Sequence, residues 1–266
     1  MEELGDFLRR KATAGNIALV DAQAAAATRN LSLAEVEEQA LLLDLMPTRY
    51  LRNCLSCAQQ LRLLRSRVGV IGCGGLGGTA ADLLARLGVG YLRLVDPDVF
   101  EEHNLNRQRF ATVDTLGQAK AAAACSVILA INPGIRVDAV QAAFAESDIE
   151  AVEVVVDGLD SAAKRLQLAE FCRRQGRPLV HGAVREWYGQ IGIVTPENDL
   201  MAGLYPLSPD ASREEPAPKV ISPTVAAISS LQAAETCKLL LGIPSPLTDQ
   251  WLSCNLLASE YEHIPG

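Results

Sequence analysis

The chain has 266 residues, of which 49% are hydrophobic and 21% are charged, and this length suits one large α/β domain or one domain with a small appendage. A formal net charge of −8 disfavours a general nucleic-acid binder. No apolar run is long enough to cross a membrane, and the acidic N-terminus has no basic region before an apolar one, so we expect neither a membrane anchor nor a secretory signal. The 7 cysteines are spread along the chain, which suits reduced thiols and predicts a cytoplasmic protein.

Residues 1–48 predict a separate helical extension. Ser32 and Glu35 form a capping box that opens one of its helices, and Pro47 follows the end of that helix. Two short helices could form a helix-turn-helix DNA reader, but basic side chains for phosphate contacts are sparse here. We therefore expect a packing or partner-binding extension, followed by a second domain over 49–266.

A basic, leucine-bearing helix is predicted over 50–66, and strands and helices alternate after it, which is typical of a parallel sheet with crossover helices. Two closely spaced later strands add an antiparallel part, and 196–220 predicts a long loop rich in Pro, Ser, Asp and Glu. The predicted fold class is α/β, with a Rossmann-like, mostly parallel sheet, flanking helices, an antiparallel extension and a small helical N-terminal appendage. Strands are predicted at 67–72, 90–95, 135–140, 152–157, 178–183, 189–195 and in the tail from 247, and helices at 76–87, 117–131, 161–175 and 224–241.

A glycine loop follows the strand predicted at 67–72. Gly72, Gly74 and Gly77 satisfy the G-x-G-x-x-G spacing, with Gly75 as an extra glycine, after an apolar strand and before a helix rich in alanine and leucine. Glycines let the backbone approach phosphates, and the following helix directs its N–H groups and its dipole toward negative charge. The loop therefore predicts a nucleotide site.

Charged residues after the next strands indicate which nucleotide is bound. Asp96 ends the second strand, where an acid can accept hydrogen bonds from ribose hydroxyls, and Asp98 follows it. Arg107 and Lys120 supply two cations beyond the glycine loop, which suits a polyphosphate that is cleaved better than a nicotinamide. Asp160 follows a later strand end, where a carboxylate can hold Mg²⁺ against phosphates. These residues predict a polyphosphate nucleotide and Mg²⁺ as ligands.

Several segments between about 50 and 241 keep the order and spacing of a known family. On these segments the chain resembles the ThiF/MoeB/HesA family of ubiquitin-activating-enzyme-like (E1-like) adenylyltransferases, which act on sulfur-carrier proteins. The segments are Gly72-Cys-Gly-Gly-Leu-Gly77, Asp96-x-Asp98, Asn104-Leu-Asn-Arg107-Gln108, Gly117-Gln-Ala-Lys120, Ile131-Asn-Pro133, Asp157-Gly-Leu-Asp160, Gly182 to Val194 and Ser230-Leu-Gln-Ala-Ala-Glu235.

The resemblance implies a role for each predicted site residue. The glycines would contact ATP, Asp96 would hold the ribose, and Asp160 would hold Mg²⁺. Phosphates would be contacted by Asn104, Arg107 and Lys120, and Asp98 and Gln108 would complete the nucleotide-binding set.

Tyr50-Leu-Arg52 resembles the family's Tyr-x-Arg-Gln segment, with Asn53 in place of the glutamine. The arginine of that segment enters the ATP site of the other subunit, so the resemblance implies a homodimer in which Arg52 joins Arg107, Lys120 and Asp160 as a catalytic residue.

The implied reaction is ATP-dependent adenylation of the C-terminal glycine of a small ubiquitin-fold carrier with a Gly-Gly end, in molybdopterin, tungstopterin or thiamine-type sulfur transfer. Many bacterial members bind a structural zinc with two CxxC pairs. We expect no such zinc here, because 196–219 contains no cysteine and the C-terminal region has only Cys237 and Cys254.

Three alternatives to this function remain open. A branch of the same family dehydrates threonylcarbamoyladenosine in tRNA, although the net charge of −8 disfavours a tRNA substrate. A nicotinamide-dependent dehydrogenase would use the glycine loop but leaves Arg107, Lys120 and Asp160 without a role. A non-catalytic scaffold that binds a carrier would have no need to retain these three residues.

Overall fold

The computed structural model describes residues 2–198, 200–205 and 219–265, so the predicted loop over 196–220 lies partly outside the described residues. No helix within these ranges is long and apolar enough to span a membrane. The helices are α1 (Leu4–Lys11), α2 (Leu19–Arg29), α3 (Leu33–Leu42), α4 (Cys57–Arg65), α5 (Gly75–Leu87), α6 (Lys120–Ile131), α7 (Ala162–Arg174), α8 (Leu200–Leu204) and α9 (Ser222–Leu241). The strands are β1 (Asn16–Ile17), β2 (Met46–Pro47), β3 (Arg67–Ile71), β4 (Tyr91–Val95), β5 (Arg136–Val140), β6 (Val154–Asp157), β7 (Leu179–Arg185), β8 (Tyr188–Val194), β9 (Gln250–Asn255) and β10 (Glu260–Pro265).

One 8-stranded sheet forms the centre of the molecule, in the order β10-β9-β8-β7-β6-β3-β4-β5. Strands β3 to β7 pair in parallel, and β8, β9 and β10 extend the sheet in antiparallel fashion. This confirms the predicted α/β class and its antiparallel extension. The chain runs outward from β3 to β4 and β5 and then returns to place β6 on the other side of β3. Strand order therefore reverses between β3 and β6, which is where open α/β sheets bind ligands.

The central strands are nearly continuous apolar runs, as expected for parallel strands that are buried on both faces. Val68 and Val70 of β3 and Val155 and Val156 of β6 are fully buried. Residues of α5, α6 and α9 belong to the apolar cluster on one face, and residues of α7 and α8 belong to the cluster on the other. The layers are therefore helix, sheet and helix.

The close approach of α5 to β3 depends on Gly77. A Cβ added at this position would lie 1.8 Å from the Gly72 carbonyl oxygen and 3.0 Å from Cγ1 of Val70. The nearer contact is to backbone, which cannot turn aside as a flexible side chain can. The last glycine of the motif therefore serves the packing of helix against strand.

We expect Gly77→Ala to lower the free energy of unfolding by about 3 kcal/mol, because the added methyl group overpacks against fixed backbone. Denaturant unfolding followed by circular dichroism measures this change. Gly5→Ala in α1 is the control, since a Cβ there meets only ordinary contacts, the nearest at 3.6 Å. If Gly77→Ala is as stable as Gly5→Ala, α5 can shift and this packing role is wrong.

Helices α1, α2 and α3 pack around an apolar cluster of their own. Leu8, Ala25 and Val36 are fully buried in it. The predicted capping box is present, because Oγ of Ser32 accepts the Glu35 N–H and the Glu35 carboxylate accepts the Ser32 N–H at 2.7 Å. The parallel pair of β1 and β2 joins the segment between α1 and α2 to the segment after α3. The domain boundary after residue 48 stays a prediction.

Several elements differ from the sequence-based expectation. The helix predicted over 50–66 is shorter, because a capping box of Ser56 and Gln59 starts α4 later in the chain. Helix α6 begins after Gly117, which has a φ of +78° and so cannot be part of a right-handed helix. The tail forms two strands, since β9 and β10 pair as a hairpin, and α8 lies within the long loop predicted over 196–220.

Candidate functional site

A cleft of ≈ 410 Å³ opens at the carboxyl ends of β3, β4 and β6, beside the point where the strand order reverses. The glycine loop and the start of α5 form one wall, and the loop after β6 forms another. Apolar side chains complete the lining, among them Val95, Phe144, Leu159, Val184 and Val225.

The structure brings most of the predicted site residues to this cleft. Gly77, Asn104 and Arg52 are not among its lining residues. Gly77 packs α5 against β3, Asn104 is buried within the turn before Arg107, and Arg52 is exposed. The roles of all these residues stay predictions. Those that line the cleft are Gly72, Gly74, Gly75, Asp96, Asp98, Arg107, Gln108, Lys120 and Asp160.

Asp96, directly after β4, holds the glycine loop in place. Its Oδ2 accepts the N–H of Cys73 at 2.6 Å, and its Oδ1 accepts the N–H of Asp98 at 2.8 Å. Burial raises the pKa of Asp96, although these hydrogen bonds and the nearby Lys120 oppose the shift. Each carboxylate oxygen has a further lone pair, so Asp96 can also accept hydrogen bonds from a ribose.

Lys120 is a buried cation at the start of α6. Its side chain is only 10% exposed, and Nζ lies 3.0 Å from Oδ2 of Asp98. The backbone N–H of Lys120 also donates to the Asp98 carbonyl at 3.0 Å. Because these contacts fix the ammonium before any ligand arrives, it is suited to bind the negative charge of phosphate oxygens.

Arg107 lies on a turn that Asn104 shapes. Oδ1 of Asn104 accepts the Glu101 N–H at 3.0 Å, and its carbonyl accepts the Gln108 N–H at 2.9 Å. The Arg107 guanidinium donates to the His103 carbonyl at 3.1 Å. Oε1 of Gln108 is buried and has no hydrogen-bond partner among the described residues, so it is a free acceptor at the wall of the cleft.

The loop after β6 carries Asp160. This side chain is exposed at the rim of the cleft, as is Lys164 one turn further on. Asp157, by contrast, is fully buried, and its Oδ1 accepts the Leu159 N–H at 2.9 Å. Asp160 is therefore the carboxylate of this loop that can meet a ligand.

A buried polar network supports this loop. Arg165 donates to the Leu159 carbonyl from Nε at 3.1 Å and from Nη2 at 2.6 Å, and its Nη1 donates to Oη of Tyr205 at 2.7 Å. Nδ1 of His181 lies 2.7 Å from Oδ2 of Asp157. Burial lowers the pKa of His181, although Asp157 opposes the shift. No spacing in the sequence signals this network, because its members come from separate helices and strands.

No group of three or more His, Cys, Asp or Glu side chains in the described ranges could hold a metal ion. Mg²⁺ needs fewer protein ligands, since it is often bound by one or two carboxylates together with the phosphates of a substrate. Asp160 is the side chain that would hold it.

The cysteine inside the glycine loop is not prepared for nucleophilic chemistry. Cys73 is 1% exposed, and burial raises its pKa, with the neighbouring Asp96 adding to the shift. Burial also raises the pKa of Cys57 to about 11. Because the thiolate is the nucleophilic form and Cys73 is inaccessible, the Cys73 thiol is poorly suited to form a thioester.

Several known proteins have sequences similar to that of this chain. The profile described as the ThiF family matches residues 48–265. SAMP-activating enzyme E1 from Haloferax volcanii is 35% identical over 212 residues, covering 77% of this chain and 78% of that protein. Sulfur carrier protein ThiS adenylyltransferase from Escherichia coli is 33% identical over 193 residues, covering 70% of this chain and 77% of that protein.

Other relatives are longer, and the chain spans about half of their length. Among solved structures, that of E. coli MccB is similar with a TM-score of 0.69 and 21% identity, covering 92% of this chain and 80% of that chain. This structural likeness concerns the fold alone.

Proposed function

The chain belongs to the ThiF family, and we propose that it is an ATP-dependent adenylyltransferase that activates the C-terminal glycine of a small ubiquitin-fold sulfur-carrier protein with a Gly-Gly end. This proposal rests on one observation: a single cleft is lined by the glycine loop, Lys120, Arg107 and Asp160. The sulfur-carrier adenylyltransferase among its relatives supports the substrate class.

In the proposed reaction, a carboxylate oxygen of the carrier's last glycine attacks the α-phosphorus of ATP. The new oxygen–phosphorus bond forms the acyl-adenylate, while the bond from the α-phosphorus to the bridging oxygen breaks and its electron pair leaves with pyrophosphate. Lys120 and Arg107 bind the phosphate oxygens on which negative charge redistributes during this step. The glycine loop and the N-terminus of α5 bind the remaining phosphate charge.

Mg²⁺, held by Asp160, would neutralise charge on the phosphates when bound. Asp96 would bind the ribose while it keeps the glycine loop in place through the Cys73 N–H. Gly74 leaves the loop open to the nucleotide, since no side chain projects from it.

We also propose a homodimer in which Arg52 of one subunit enters the cleft of the other. The exposure of Arg52 and its absence from the lining of its own cleft support this arrangement. The cytoplasm is the proposed compartment, because the 7 cysteines are free thiols. The division into 1–48 and 49–266 is retained as the proposed domain organisation.

Carrier-dependent exchange of labelled pyrophosphate into ATP tests the proposed function. We expect exchange with a Gly-Gly carrier encoded near the gene, in the presence of Mg²⁺, and none with a carrier that lacks its last glycine or after chelation of the metal. Failure of every nearby Gly-Gly carrier would count against the proposal. Tight binding of NAD without ATP binding would favour a dehydrogenase instead, and a deletion strain defective only in a modified tRNA nucleoside would favour the dehydratase.

A further inference from the structure

The N-terminal unit, residues 2–47, has no part in the proposed reaction, yet a buried ion pair ties it to the segment that carries Arg52. Glu37 of α3 has a side chain that is 1% exposed, and its two carboxylate oxygens accept hydrogen bonds from the two terminal nitrogens of Arg49. Gly134 leaves room for this pair, because a Cβ there would lie 2.5 Å from Oε2 of Glu37 and 2.7 Å from Nη2 of Arg49. A bidentate pair of this kind constrains the orientation of the guanidinium relative to the carboxylate, so it fixes Arg49 against the N-terminal unit.

The residue after Arg49, Tyr50, is held by residues that flank the central sheet. The guanidinium carbon of Arg49 lies 4.5 Å from the centroid of the Tyr50 ring. Asn132, directly after α6, donates from Nδ2 to Oη of Tyr50 at 2.7 Å and to the Ala85 carbonyl at 2.8 Å. These contacts give a reason for the asparagine of Ile131-Asn-Pro133, to which the proposed reaction assigns no role.

The chain turns directly after Tyr50, and Arg52 lies in this turn. Oγ1 of Thr48 donates to the Ile17 carbonyl of the N-terminal unit at 3.0 Å. The N–H of Asn53 donates back to the Tyr50 carbonyl at 2.8 Å. Nδ2 of Asn53 also donates to Oε1 of Gln60 in α4 at 3.2 Å, so both ends of the turn are held, whereas Arg52 between them is exposed.

We propose that the N-terminal unit is a clamp that positions Arg52 for the ATP site of the partner subunit, acting through Glu37 and Arg49. The inference rests on the proposed function, because the role of Arg52 does. An arginine on a mobile turn loses conformational freedom when it binds phosphate, and fixing the turn beforehand reduces that loss. Glu37 is thus a positioning residue, which touches no substrate and acts through the turn.

Glu37→Gln tests the clamp, with Glu38→Gln as its matched control. Glu38 is the next residue of α3 and pairs with Arg65 at the surface, where both side chains are exposed. At a temperature well below the unfolding midpoint of the variant, we expect Glu37→Gln to lower kcat for ATP–pyrophosphate exchange about tenfold. The reason is that Arg52, once its turn is released, loses its orientation toward the site. Hydrogen exchange should accelerate in 48–53 and remain unchanged in β3. Glu38→Gln should match the wild type in both measurements.

Mixed dimers separate a clamp from a general loss of stability. In a dimer of one Glu37→Gln subunit and one Asp160→Ala subunit, one site takes its cleft from the first subunit and its Arg52 from the second, whose clamp is intact. We expect that site to have wild-type activity. If it keeps the tenfold defect, Glu37 acts on its own cleft and the clamp proposal is overturned.

Thr48→Val is a milder second variant in case Glu37→Gln fails to fold, since it removes only the hydroxyl hydrogen bond to Ile17. It should accelerate hydrogen exchange in 48–53 and lower kcat about twofold, in proportion to the loss of one neutral hydrogen bond. If amide hydrogen exchange in 48–53 is unchanged in both variants, the clamp proposal is overturned, even if the protein shows no ATP–pyrophosphate exchange. A wild-type protein without activity would instead count against the proposed function.

Discussion

Lys120→Ala should lower the kcat of carrier-dependent ATP–pyrophosphate exchange by a factor of about 100 to 1000, as expected for the removal of one preorganised donor to redistributing charge. The Lys120 side chain is 10% exposed and its ammonium is held by Asp98, so the charge has a fixed position at the cleft. The Asp98 side chain is itself 63% exposed, and buried Asp96 keeps its hydrogen bonds from the Cys73 and Asp98 N–H groups, so the fold should persist. Steady-state exchange kinetics and a thermal unfolding scan measure the two effects.

Lys164→Ala is the matched control for Lys120→Ala. Lys164 lines the same cleft and carries the same charge, but it is exposed, so its loss should change kcat only a few-fold. Equal effects of the two substitutions would mean that net charge in the cleft, rather than a fixed ammonium, accounts for the activity. The role assigned to Lys120 would then be wrong.

Arg52→Ala and Asp160→Ala should each reduce exchange to background, and mixing the two inactive proteins should restore about one quarter of the wild-type activity in a twofold-symmetric dimer. Half of the randomly formed dimers contain one subunit of each kind, and one of the two sites in such a dimer has both Arg52 and Asp160. This recovery follows only if Arg52 acts across the interface.

Subunit exchange must be demonstrated before the mixture is interpreted, for example by native mass spectrometry of two differently tagged forms. A mixture of Arg52→Ala with Lys120→Ala should recover in the same way, because Lys120 belongs to the same cleft as Asp160. A mixture of Asp160→Ala with Lys120→Ala should stay inactive, because both defects lie in the clefts. If subunits exchange and the Arg52→Ala mixtures also remain inactive, the shared site is wrong.

Local features of the chain could be read from its sequence because their partners are a few residues away. The capping box of Ser32 and Glu35 and the glycine spacing from Gly72 to Gly77 depend on neighbours in the chain, and the structure contains both. The alternation of apolar strands with helices likewise predicts a parallel sheet, since each crossover helix must cover a face of that sheet. The carboxyl ends of parallel strands share one edge, so the approach of Asp96 to the glycine loop, where it accepts the Cys73 N–H, could also be expected.

Only the tertiary structure decided which distant polar groups are paired in the interior. Glu37 with Arg49 and Asp157 with His181 connect elements whose contact depends on strand order and helix packing, and single residues in a sequence do not encode such partners. The burial of Lys120 likewise could not be predicted from the sequence, because it depends on how α6 packs against the segment after β4 that carries Asp98. Periodicity and spacing report which face of an element is apolar, whereas burial and pairing of a charge are set by everything packed against it.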